Sequence, residues 1–86
     1  MYHFIIVDQE KREYLSSCGS LMSPKTQIWK PLRELKQGET YKYVFLASSR
    51  GYAQEVARNI ENSNPRRPNL QIRKVRSIEC FRLVED

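Results

Sequence analysis

The residues in this chain best suited to chemistry are cations. Arg66, Arg67, Arg73, Lys74 and Arg76 place five positive charges within eleven residues, with no acid among them. Exposed together, they would attract phosphates, and each neutralised phosphate adds salt-dependent affinity. The same cluster also fits docking to an acidic protein surface. The plainer alternative is that charges on a strand and loop keep a small protein soluble and guard a sheet edge.

Aromatic residues interleave with other cations. Lys42 lies between Tyr41 and Tyr43, and Trp29 precedes Lys30. A sheet face showing such residues can stack unpaired bases of RNA or single-stranded DNA. No RNP-like motif is present, however, and tyrosines at alternating strand positions more often serve half-buried packing. Trp, Tyr and Arg are also the types that dominate protein interfaces. The segment from Gly19 to Lys30 carries Leu21, Met22, Ile28 and Trp29, which suits either a loop folded over the sheet or one that binds a partner.

Catalytic equipment is sparse. Cys18 and Cys80 are the only thiols and His3 the only histidine, so no spacing marks a nucleophile with its base. Zinc would need more ligands. The serine-rich stretch Ser16–Pro24 lacks the G-x-x-x-x-G-K spacing of a phosphate loop and opens no helix. The chain reads as a protein without catalysis, metal or cofactor, its two cysteines free thiols.

The elements that must position these groups are few. Eighty-six residues make one domain with one modest core. Fifteen Lys and Arg against ten Asp and Glu leave +5, spread over both halves and concentrated in no tail. No apolar run approaches the roughly 20 residues that cross a bilayer. Met1-Tyr2-His3 carries no basic n-region and strand-like sequence begins at once, so no signal peptide is expected, and the expected location is cytoplasmic, without membrane contact.

Tyr2 to Val7 reads as a central strand with apolar residues on both faces. The polar run 8–12 suits a hairpin turn, and Glu13 to Ser17 returns as a second strand. Thr26 to Lys30 is short and extended, with Ile28 inward. Pro31–Lys36 suits one helical turn with Pro31 at its first position, Leu32 and Leu35 facing the sheet, and Gly38 as stop. Thr40 to Ala47 alternates as a strong strand.

The chain then enters its best-marked element, a helix over residues 48–62. Ala53, Val56, Ala57 and Ile60 form one stripe, Ser48 or Ser49 can cap it, and Asn62, Asn64 and Pro65 supply a left-handed stop. Leu70 onward is extended. Lys74 breaks the alternation unless a bulge intervenes, and the stretch to Val84 is one bent strand or two strands parted at Arg76-Ser77. The expected fold is α+β: about four antiparallel or mixed strands with one main helix on a face, in the order hairpin, loop, strand, helix, strand.

The stretch Tyr43-Val44-Phe45-Leu46-Ala47-Ser48-Ser49-Arg50-Gly51-Tyr52-Ala53, followed by Val56-Ala57, resembles the strand-to-helix pattern of short phage and mobile-element accessory proteins. The resemblance covers about half the chain, and the insertion from Gly19 to Gln37 departs from it. It implies a viral accessory protein in the host cytoplasm, a class that includes inhibitors of nucleic-acid-targeting defence, CRISPR systems among them. Such proteins share no common site, so no functional residue carries over. The sequence therefore points to a small basic protein that occupies a nucleic-acid-facing surface of a protein or ribonucleoprotein partner. Direct binding of RNA or single-stranded DNA is the alternative. An uncovered strand edge leaves room for a homodimer.

Overall fold

The computed structural model describes residues 2–18, 27–35, 44–77 and 81–83. Five strands and one long helix account for most of them. β1 (Tyr2–Asp8) and β2 (Glu13–Cys18) form the opening hairpin, and β3 (Gln27–Pro31) leads into a 3-10 turn at Leu32–Glu34. The helix α1 (Arg50–Ser63) precedes β4 (Leu70–Ser77) and the short β5 (Phe81–Leu83). Every pairing is antiparallel, in the order β3-β2-β1-β4-β5. The expected α+β fold with one helix on the sheet is what forms. No helix among the described residues is long and apolar enough to cross a membrane.

The helix forms as its sequence signals dictate. Ala53, Val56, Ala57 and Ile60 are its buried residues, and Ser49 Oγ accepts a hydrogen bond from the Tyr52 amide at 3.1 Å. Ser49→Ala is expected to cost about 1 kcal/mol, readable as a lower urea midpoint with an unchanged slope. The stop differs from the expected left-handed one. Asn64 is extended (φ −128°, ψ 99°), because a residue before proline is pushed out of helical space. Its amide still closes the last turn on the Ile60 carbonyl at 2.8 Å.

β1 is central and buried on both faces, as its two-sided apolar pattern requires. Ile6 packs with Leu15, Val56, Ala57 and Ile60 under the helix. Ile5 and Val7 pack with Tyr14 and Val75 on the opposite face, where Leu32, Leu35, Val44 and Leu46 cover them. Leu32 and Leu35 thus face the sheet as expected. Pro31 caps the turn from outside it, with Leu35 as the closing residue; Gly38 lies outside the described residues.

Three local expectations are corrected. Ile28 is 52% exposed, and its neighbour Trp29 packs toward the helix instead. Both positions are apolar, so alternation alone could not say which one turns inward. Within the expected strand Thr40–Ala47, residues 40–43 lie outside the described residues, and 44–47 contribute one isolated bridge. There Ala47 exchanges backbone hydrogen bonds with Phe4 at 2.8 and 2.9 Å, while the Phe45 amide donates to the Leu15 carbonyl at 3.1 Å. This segment bonds to β1 and β2 beyond their last mutual partners, Val7 and Tyr14, next to the register shift between Leu15 and Ser17 in the β2–β3 pairing. Finally, β4 keeps unbroken register with β1 from Leu70↔Asp8 to Arg76↔Tyr2, so no bulge occurs at Lys74. The chain reverses after Ser77 into β5.

Candidate interaction surface

The hairpin-turn end of the sheet gathers cations from three separate segments. Lys11 and Arg12 occupy the β1–β2 turn, Arg33 the 3-10 turn, and Arg66 the loop between α1 and β4; all four are exposed. Hydrogen bonds draw the segments together. The Arg12 carbonyl accepts from the Leu32 amide at 2.7 Å, and Lys11 Nζ donates to the Arg66 carbonyl at 2.6 Å. Arg12 takes a left-handed backbone, φ 54°, to close the turn. Between the turn and the start of the 3-10 segment lies a cleft of about 700 Å³, lined by Glu10, Lys11, Arg12, Glu13, Pro31, Leu32 and Arg33. Glu10 and Glu34 are the exposed acids among these segments, so the rim is basic but patterned. Burial, and then the charge of Glu34, hold the nearby Tyr14 phenol above its usual range. That phenol stays neutral at physiological pH and adds no anion here.

The basic run at 66–76 does not form one surface. Arg66 is exposed, but Arg67 is turned inward, its side chain only 12% exposed. Its Nη1 donates to Asp8 Oδ2 at 2.8 Å and to Glu13 Oε1 at 2.6 Å, and its guanidinium lies 4.1 Å from the Trp29 ring centroid. Asp8 is 1% exposed and also accepts the Lys11 amide. Arg67 is therefore neutralised within the fold. Arg73 and Lys74 sit on opposite faces of β4. Arg73 Nη2 donates to Gln71 at 3.0 Å and to Gln9 in the turn at 3.4 Å, which places it beside the basic rim. Arg76 is in β4 opposite Tyr2.

Nor do the aromatic candidates form a joint platform. Trp29 is half-buried beneath Arg67, its Nε1 donating to Gln27 Oε1 at 3.4 Å. Asn64 Nδ2 donates to the same oxygen at 3.1 Å, and Asn64 Oδ1 accepts the Arg66 amide at 3.1 Å. This knot fastens β3 to the end of the helix and leaves Gln27 Nε2 buried without a partner. Lys30, next to Trp29, points to the other face of β3, so the two are not one patch. Tyr41, Lys42 and Tyr43 lie outside the described residues. β3 is an edge strand whose Lys30 and Pro31 are types that discourage edge pairing.

A second group of cations and rings, not anticipated from sequence, stands at the far end of β1. Tyr2 and Phe4 share the helix-facing side of the strand. Lys74 Nζ lies 4.4 Å from the Tyr2 ring centroid, and the Arg50 guanidinium 5.0 Å from that of Phe4. Tyr2 is 44% exposed. The register pairs Phe4 with Lys74 and Tyr2 with Arg76. Alternation along residues 2–6 and 70–76 carried this grouping in principle, once β1 and β4 are known to be neighbours.

Among the described residues, no three His, Cys, Asp or Glu side chains gather as metal ligands would. The carboxylate buried among them, Asp8, is committed to Arg67 and a backbone amide. No protein-family model, curated protein or solved structure matches the chain.

Proposed function

We propose that this chain is a small basic binding protein, without catalysis of its own, that occupies a nucleic-acid-facing surface of a protein or ribonucleoprotein partner. Its action would be that of a phage-type accessory protein or inhibitor. The observation carrying this reading is the rim of Lys11, Arg12, Arg33 and Arg66, four exposed cations tied into one end of the fold. A rim broken by Glu10 and Glu34 and set around a cleft suits a partner surface of matching pattern better than a uniform phosphate backbone. Complementary charge of this kind speeds encounter and fixes register.

Replacing Lys11, Arg12, Arg33 and Arg66 together with Ser tests it. All four side chains are exposed, so the fold should survive. In a pull-down from the native host, the partner should be held by the parent chain, with or without nuclease treatment, and lost by the variant. Association with the purified partner should slow by about 10- to 100-fold at low salt, and the difference should shrink as salt rises. Equal capture by both chains at low salt would refute the rim as the docking surface.

A further inference from the structure

The geometry points to the cleft between the β1–β2 turn and the 3-10 turn as the seat of an acidic peptide segment of the protein partner, held through its carboxylates by Arg12 and Arg33. This names the ligand of the basic rim, and so rests on the rim being the docking surface. The cleft measures about 700 Å³, in the range of ligand-binding clefts. Arg12 and Arg33 both line it, and both are exposed. The Leu32 amide, bound to the Arg12 carbonyl at 2.7 Å, holds their two segments together. Among the described residues neither arginine side chain makes a hydrogen bond or an ion pair. Their charged neighbours are engaged: Lys11 Nζ with the Arg66 carbonyl, and Glu13 Oε1 with Arg67.

Arg12 carries the argument furthest. Its φ of 54° is left-handed, a conformation that favours glycine or asparagine and costs energy for a residue with a longer side chain. The fold uses the Arg12 backbone, through its carbonyl, and makes no use of its guanidinium. Backbone strain of this kind gathers at ligand clamps, and an unengaged guanidinium beside a cleft is placed for an outside anion. The lining then selects which anion. Arginine forks match planar carboxylates two hydrogen bonds at a time. Glu10 and Glu13 line the same cleft and repel the phosphates of a nucleic-acid strand. A peptide meets both signs, with carboxylates for the arginines and backbone N–H groups for the acids. Pro31 and Leu32 add apolar lining against which its side chains can pack.

The test titrates the isotope-labelled full chain with the peptide acetyl-Asp-Gly-Asp-Gly-amide, with its Asn-Gly-Asn-Gly counterpart, and with the trinucleotide TpTpT, whose two phosphodiesters match the charge of the acidic peptide. Backbone amide shifts are followed by NMR. The acidic peptide should move the Arg12, Leu32 and Arg33 amides saturably, less so as salt rises, and the asparagine peptide should leave them in place. Arg12→Gly should weaken peptide binding and capture of the native partner at least tenfold, while melting at the parent's temperature or a few degrees above it. Arg12→Lys, which keeps the charge and loses the fork, should weaken both as well. Absence of saturable shifts, or shifts unaltered in Arg12→Gly, would overturn the proposal. So would a trinucleotide that binds there as tightly as the acidic peptide, or a lower melting temperature for Arg12→Gly, since the arginine would then serve phosphate or the fold. Partner capture lost by the four-serine variant but kept by Arg12→Gly would overturn the cleft and leave the rim standing; capture kept by both would refute the rim itself.

Discussion

Arg67→Met is expected to destabilise the fold by about 3–5 kcal/mol, the largest effect of any single charge among the described residues. Its guanidinium is the partner that neutralises Asp8, a carboxylate 1% exposed, and it reaches Glu13 with the same nitrogen. Removing it leaves Asp8 buried with only the Lys11 amide for company. A buried charge stripped of its partner costs far more than the pair contributed. Loss of the stacking contact with Trp29, worth about 0.5–2 kcal/mol, acts in the same direction. For a domain of this size, each kcal/mol lowers the melting temperature by roughly 4–8 °C.

Arg66→Met is the control. That neighbour is exposed and should stay within about 0.5 kcal/mol of the parent. A thermal melt of both variants reads the contrast directly. Introducing Asp8→Asn first should reduce the cost of Arg67→Met by about 1–3 kcal/mol, because the two side chains are directly coupled. Equal melting temperatures for the Arg66 and Arg67 variants would mean that the ion pair does not hold this end together.

The two arginines also show where sequence reasoning ran out. Arg66-Arg67 between two prolines has the composition of an exposed loop tip, and nothing local separates the two. Their difference is decided by Asp8 and Glu13, which lie 59 and 54 positions away and meet Arg67 only once β1 and β2 have paired. The basic rim was hidden for a related reason. Lys11, Arg12, Arg33 and Arg66 are scattered, and Glu10 and Glu34 beside them mask the local charge. By contrast, α1 was legible because its stripe, its cap and the place of its stop are all local, although the stop is extended and not left-handed. The central strand was legible from its apolar residues on both faces, and the opening hairpin from the polar turn that follows it. What a residue does through its own neighbours in sequence can be read; what it does through partners brought by topology cannot.

The closure of both sheet faces carries the other large prediction. Ile5→Ala and Ile6→Ala should each cost about 2–5 kcal/mol, although the two side chains point in opposite directions. Ile6 fills the space beneath Val56, Ala57 and Ile60, and Ile5 belongs with Tyr14 and Val75 to the cluster covered by Leu32, Leu35, Val44 and Leu46. Both are 0% exposed, so each truncation opens a cavity in a different layer. The exposed Ile28→Ala should stay within about 0.5 kcal/mol of the parent. Because the two side chains belong to separate clusters, the costs should nearly add. The double variant would then consume most of the roughly 4–13 kcal/mol available to a chain of this length and be largely unfolded in dilute urea. An Ile5→Ala cost no larger than that of Ile28→Ala would mean that the second face is open and able to hold a ligand. With both faces closed over the middle of β1, a large partner can reach that strand only at its ends. Those ends are where the two groups of cations stand: the rim around Lys11 and Arg66, and Lys74 and Arg50 over the rings of Tyr2 and Phe4.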